Sequence, residues 1–452
     1  MAAFNRDDEL TPKLEGLFWL PSNPDHRWPG VLQFHSSGFS LLTLWMLGGG
    51  HLEGLYAKGL VLLGEVNEIR HRRVTLAGGH WTRQYGDPTY IGGASNFEFS
   101  HTTLWLDAES AALEEWCPIE EIPVTANEFR FTLEGLESWL GRKQWDSKDG
   151  RSFAAKEHAG LSGVRVTEGV DASLRVLSAP DWFGFGPGFR IDTCGEVVLR
   201  SDQPREIGDF IELAERFQRF MCFVWRRQCL IGEMCLRWAN IRAEVRCPTW
   251  LSWFPSDGVD ELLPAGTAFT AKEVGPATPN AVLEAWCRMC SESAELVESI
   301  VRVLADSRST DQRIDLVLPA LDQLAPRVAE KEPEWRRGER EKMLAALDDE
   351  ERREWWDERM QWAINPMKSR LAKLFKKYAG ASVTAAERER VVSELVEFRV
   401  QRFHKGFHAV SDDVWFPAVA VLYCAVLDKL GIDWRCFMKA NGTLRRRRGH
   451  PA

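Results

Sequence analysis

Near residue 270 the chain changes its hydrophobic period, and that change restricts it to two parts of unlike architecture. Before it, short runs of β-branched, leucine and aromatic residues are punctuated by Gly, Asn, Asp and Pro: VLQFHS (31–36), FSLLTLWM (39–46), GLVLLGEV (59–66), RRVTLA (72–77) and FEFSHTTLWL (97–106). Such a rhythm builds sandwich or barrel-like sheets. Two interruptions have helical spacing, 132–142 and 207–225, the second with Phe210, Leu213, Phe217 and Met221 on one face. Strand text returns around 164–176, 189–199 and 236–245, and Gly, Pro, Thr and Ala then dominate 264–279 as in a linker.

Beyond Asn280 the text is helical. Leu283, Trp286, Cys290, Val297, Ile300 and Leu304 mark one stripe of a long first helix, and a second apolar segment runs over 314–328. The doubly charged stretch 331–358 reads as a solvated helix, with Trp355 and Trp362, seven residues apart, facing one partner. Thr384 and Glu387 form a capping box that opens a helix running toward Gly406. The last helix, about 414–430, is apolar nearly all round and so belongs inside a bundle or at a subunit interface. The expectation is a multidomain α+β chain. It comprises a strand-rich domain over 1–264, a linker over 265–280, an all-α domain over 281–440 and a basic tail over 441–452.

Charge and cysteine usage narrow the function classes. The chain holds 57 Lys plus Arg against 66 Asp plus Glu, a net charge of -9, so it is no general polyanion binder. Residues 361–452 reverse that balance, with 17 basic and 8 acidic side chains, which makes this end the one suited to nucleic acid. The first residues lack a signal-peptide core, and no apolar run reaches the ~18 residues of a spanning helix. A cytoplasmic chain without a membrane partner is expected. Ten Cys are too sparse for a disulfide scaffold; Cys222 and Cys424 sit in apolar text, and the solitary Cys287-x-x-Cys290 has helical core spacing.

Familiar catalytic templates are missing from the text. The glycines at 48–50 and 184–188 lack a phosphate-loop pattern, and no GxSxG, HExxH or DxDxDG occurs. His26, His35, His51, His71, His80, His101 and His158 follow no ligand spacing, so neither a metal nor a cofactor is expected. One stretch differs: residues 393–413 pack Arg399, Arg402, His404, Lys405 and His408 into ten positions at a helix end. Arg399 falls on the row Val392, Val396, Arg399, Phe403, the apolar stripe itself, which predicts a buried or interfacial partner. His404, in the last turn, meets the negative end of the helix dipole, which favours imidazolium and a proton exchanged near neutral pH. Arg can stabilise charge developing on phosphate, and His can move the proton of a 2′-hydroxyl or a leaving 5′-oxygen. Five residues place the two about 140° apart on an ideal helix. Convergence then requires an unwound helix end or a symmetric dimer with a composite site.

Arg399, four intervening residues and His404, followed by a terminal apolar helix ending in LDKLGID, resemble the Arg-x4-6-His motif of the HEPN superfamily. More specifically, LEGLFWLP (14–21), RRVTLAGG (72–79) and LEGLESWLG (133–141), with a C-terminal echo over 312–433, resemble the ApeA-type anti-phage proteins. That resemblance implies a strand-rich regulatory domain joined to a HEPN domain acting as a metal-independent endoribonuclease. It also implies cleavage of host or phage RNA, with tRNA one candidate, and growth arrest of the infected cell (abortive infection). Where such families commonly place Asn after the Arg, this chain has Val400. A second register, Arg402 with His408, satisfies the same loose pattern. Arg399 with His404 is preferred because the acidic turn and terminal helix then follow at the implied distance. Lys405 and the run Arg445, Arg446, Arg447 and Arg448 are expected to hold RNA backbone. The expected partners are RNA, a second copy or a larger homo-oligomer, and a phage-encoded protein trigger. Two rival readings remain: an inert nucleotide-binding or dimerisation module, and carbohydrate binding through the Trp-rich first domain, the chain holding 20 Trp.

Overall fold

The computed structural model describes residues 13–34, 39–46, 59–67, 71–85, 93–106, 125–141, 145–147, 153–155, 160–182, 189–238, 241–246, 269–274, 277–305, 310–325, 334–364, 367–379, 383–405 and 411–435. They group into two compact units. The first takes in the chain to Asp257 with Thr270–Glu273 and Pro279–Arg288, and the second holds Gly258–Phe269, Val274–Thr278 and Met289–Ala452. Part of the stretch read as linker, Thr270–Glu273, therefore counts with the first unit: Ala271 is buried, and its N–H donates to the Trp139 carbonyl (2.8 Å).

The first unit begins with β1 (Leu14–Leu20), β2 (Asn23–Phe34), β3 (Ser40–Met46), β4 (Leu60–Val66), β5 (His71–Tyr85) and β6 (Gly93–Phe99). Their antiparallel order β5-β4-β1-β2-β3-β6 is closed by β5 pairing with β6, with Trp81 opposite Phe97, to give a six-stranded barrel. Alternation supplies its core: Phe18, Trp28, Leu32, Phe34, Leu42, Leu44, Leu62, Val74, Leu76, Phe97 and Phe99 point inward. Gly64 is required by close approach, since a Cβ there would lie 2.6 Å from the Phe18 ring and 2.8 Å from Val74.

Residues 97–106, read as one run, divide at Ser100: β6 stays in the barrel and β7 (His101–Leu106) leaves it along the first half of β5. Next come β8 (Thr125–Leu133), α1 (Leu136–Leu140), the small pair β9 (Trp145–Ser147) and β10 (Phe153–Ala155), β11 (Leu161–Thr167), β12 (Val170–Trp182), β13 (Phe189–Glu206), α2 (Ile207–Trp225), β14 (Ile231–Trp238) and β15 (Ile241–Arg246). The sheet continues through β7 in the order β7-β15-β14-β8-β13-β12-β11. Helix α2 covers one face, Phe210 stacking on Phe129 (5.7 Å) and Phe217 meeting Phe131 edge-on (6.1 Å). The other face carries ion pairs, Glu128 with Arg130 along β8 and, across strands, Glu128 with Arg200 and Glu196 with Arg175. The helix expected over 132–142 shrinks to α1. Thr132 and Leu133 pair with Glu196 and Gly195, and Gly135, at φ 80°, turns the chain into a five-residue helix.

The long first helix read over 283–304 is two helices, α3 (Pro279–Glu292) and α4 (Ala294–Ala305), divided at Ser293, whose carbonyl accepts the Val297 N–H (3.1 Å). All six residues of its expected stripe are buried. The N-terminal part of α3 packs in the first unit, where buried Trp286 stacks on Phe223 (5.3 Å) and donates Nε1–H to the Arg216 carbonyl (2.8 Å).

The second unit is helical throughout its described secondary structure: α4, α5 (Thr310–Leu324), α6 (Glu334–Ala345), α7 (Glu350–Ile364), α8 (Met367–Ala379), α9 (Ala385–Lys405) and α10 (Asp412–Lys429). The charged stretch read as one solvated helix is thus a hairpin, α6 and α7. Asp349 starts α7 by accepting the Glu351 N–H on its carboxylate (3.0 Å). Trp355 is 47% exposed rather than buried and lies edge-on to Trp356 (5.1 Å), while the Trp362 side chain is outside the described residues. Helix α10 is buried on nearly every side and ends at Gly431, φ 76°. No helix among the described residues is long and apolar enough to cross a membrane.

Candidate functional site

The basic end of α9 is positioned by three helices of the second unit. Its start is the expected capping box: the Thr384 N–H donates to Glu387 (2.9 Å) and the Glu387 N–H donates to the Thr384 hydroxyl (3.2 Å). Val391, Val392, Leu395 and Phe398 then form the buried row, while Val396 is only partly buried. Helix α8 packs beside it and buries Leu371, Leu374, Phe375 and Tyr378 in the bundle. An ion pair from Arg370 to Asp322 (2.5 Å) ties α8 to α5.

A polar clasp joins α8 to α10. Tyr378 Oη–H and Lys377 Nζ both donate to Asp428 Oδ2, at 2.8 and 2.7 Å. Burial pushes the Asp428 carboxyl up, but the hydrogen bonds from Lys377 and Tyr378 outweigh it and hold the group below its ordinary range. Trp434 packs edge-on against Tyr378 (5.1 Å), and the Arg435 guanidinium lies over Trp434. The segment LDKLGID thus folds back on the bundle, with the Ile432 N–H donating to the Leu427 carbonyl (2.9 Å).

Arg399 is exposed, which corrects its placing on the apolar stripe: the buried row passes through Leu395 and Phe398, one residue away. Its Nη1 donates to the Met367 thioether (2.8 Å), so the guanidinium sits where α8 begins. A thioether is a weak acceptor, and the guanidinium makes no other hydrogen bond or ion pair among the described residues. His404 is the penultimate residue of α9, and the helix continues through Lys405 with no unwinding that would converge Arg399 and His404. The side chains of Arg402, His404 and Lys405 lie outside the described residues, as do His408 and Arg445 to Arg448 altogether. The structure therefore gives Arg399 an environment and His404 a backbone position.

Other residues singled out by the sequence have structural surroundings. Cys222, Cys287, Cys290 and Cys424 are buried thiols, and burial pushes Cys424 up to about 12. His26 and His80 are exposed; the remaining five first-domain histidines have no described side chain. Trp19, Trp28, Trp139, Trp286 and Trp415 are buried anchors, whereas Trp45 and Trp81 are each 42% exposed. Among the described residues no three His, Cys, Asp or Glu side chains group as metal ligands. Sequence reading passed over Lys368, Lys373, Lys376 and Lys377, which share the outer side of α8; the signal was basic residues interleaved with the buried positions Leu371, Leu374, Phe375 and Tyr378.

These features define a class: a barrel-and-sheet unit covered by helices, followed in the chain by a helical bundle with a basic helix end. The particular family comes from residues 13–255, more than half of the chain, which match the model of ApeA N-terminal domain 1. The chain belongs to the ApeA family, and that membership supports an anti-phage defence protein. No curated protein and no solved structure matches it.

Proposed function

We propose that the second unit is a HEPN-type endoribonuclease and that the barrel-containing unit regulates it in anti-phage defence. The observation that carries this reading is the exposed Arg399 guanidinium, held at the start of α8 and followed about 1.4 turns later by His404 in the last turn of an unbroken helix. On this reading His404 accepts the proton of a 2′-hydroxyl as its oxygen attacks the adjacent phosphorus, and Arg399 stabilises the negative charge of the phosphorane. The bond to the 5′-oxygen then breaks, that oxygen takes a proton from water, His404 returns its proton to solvent, and the products are a 2′,3′-cyclic phosphate and a 5′-hydroxyl. Side chains supply every charge in this scheme, so it needs no divalent ion. An unbroken helix keeps the two residues about 140° apart, so the complete site joins Arg399 of one copy to His404 of another. RNA, with tRNA one candidate, is the substrate, and a phage-encoded protein is the proposed trigger sensed by the first unit.

His404→Ala removes the proton carrier and should lower RNA cleavage about 10² to 10⁴-fold. Arg399→Lys should also lose most activity, because a point-charge ammonium lacks the forked contact to phosphate. His408→Ala should be mild. Inactive His408→Ala with active His404→Ala would assign the site to Arg402 and His408; full RNA cleavage and phage protection by both variants would remove the nuclease reading.

A further inference from the structure

Helix α8 has the sequence MKSRLAKLFKKYA, with five basic residues and no acidic one. Its buried side is filled by Leu371, Leu374, Phe375, Tyr378 and Ala379, so the helix is fixed and its outer side is set. That side presents Lys368, Lys373, Lys376 and Lys377, all exposed. Arg370 is not among them, because it is paired to Asp322. Lys377 is engaged by Asp428. Lys368 and Lys376 make no ion pair among the described residues. Lys368 directly follows Met367, the residue that receives the Arg399 guanidinium.

We propose that the outer side of α8 is a binding surface for the phosphate backbone of single-stranded RNA, leading to Arg399. This rests on the nuclease reading, whose substrate it guides. Length argues for a polymer: at 1.5 Å per residue, Lys368 and Lys376 are about 12 Å apart along the axis. One phosphate cannot span that distance, whereas successive phosphates of a strand can. A membrane surface fits less well, since the apolar side of α8 is buried in the bundle and has nothing to insert among lipids.

The test is anisotropy of a labelled 20-nucleotide 2′-O-methyl RNA, which lacks the attacking hydroxyl, titrated with the full chain between 50 and 200 mM salt. Each phosphate contact to a single strand contributes about 0.7 to the slope of log affinity against log salt. Lys368→Ala with Lys376→Ala should therefore make the slope shallower by about 1.4 and weaken binding about 25-fold at 0.1 M salt. Lys342→Ala with Arg352→Ala removes the same charge from exposed positions of α6 and α7 and should leave the slope nearly unchanged. An equal loss in that control, or none in the α8 variant, overturns the surface. So does binding to anionic vesicles but not to RNA. If the α8 variant binds like wild type while wild type still cleaves natural RNA, the surface is wrong and the nuclease stands. A wild-type chain that neither binds nor cuts removes both.

Discussion

Replacing Trp286 by Ala should unfold or severely weaken the first unit, although the residue lies beyond the stretch that reads as a linker. Its ring is fully buried, stacked on Phe223 at 5.3 Å and set edge-on to Phe220 at 5.6 Å. Truncating a buried aromatic costs about 3–5 kcal/mol through lost transfer energy and the cavity left behind. The Arg216 carbonyl would lose its indole donor as well, about 1 kcal/mol more. A total near 4–6 kcal/mol compares with the 5–15 kcal/mol that holds a typical domain together. For a unit of this size each 1 kcal/mol moves the Tm by about 2–4 °C, so the first transition should fall by at least about 8 °C. Trp286→Phe keeps the ring contacts and loses the donor, and should fall by a few degrees. Scanning calorimetry of the full chain follows this transition. A first-unit transition left in place by Trp286→Ala would refute the assignment of α3 to that unit.

Three further outcomes follow from the same structure. Gly64→Ala sets a Cβ against Phe18 and Val74 in the barrel and should cost about 1–3 kcal/mol by overpacking, seen as a lower urea midpoint. Asp428 has a lowered folded pKa, so its stabilisation is fully present above about pH 4 and is lost as pH falls through that lowered value; Asp428→Asn should flatten the acid limb of the Tm–pH curve. Its cost at pH 7 should stay near 1 kcal/mol because Lys377 and Asp428 are both well exposed, and an unchanged acid limb would show that the clasp does not form. Sedimentation of the full chain at tens of micromolar should show at least a dimer, and a clean monomer would argue against a site shared between copies.

Local periodicity made α2 legible, because Phe210, Leu213, Phe217 and Met221 recur at helical spacing and all are buried. The capping box at Thr384 was equally plain, being a four-residue signal. Barrel closure was not legible, since it depends on β5 meeting β6 across residues that no local pattern links. The same long-range pairing drew Thr132 and Leu133 into β8 against their helical spacing. Arg399 was misplaced for a geometric reason. Successive residues turn 100° around the axis, so on a helix with a partly buried flank at Val396 the edge of the apolar stripe is ambiguous by one position. The basic side of α8 became evident only when its packing showed which lysines face outward.

The most direct test of the central claim is to incubate the purified chain with total RNA in EDTA and map the ends of the fragments. Metal-independent cleavage leaving 2′,3′-cyclic phosphate and 5′-hydroxyl ends, absent from His404→Ala, is the predicted result. Intact RNA, or cleavage that needs a divalent ion and leaves 3′-hydroxyl ends, would contradict the Arg399 and His404 mechanism.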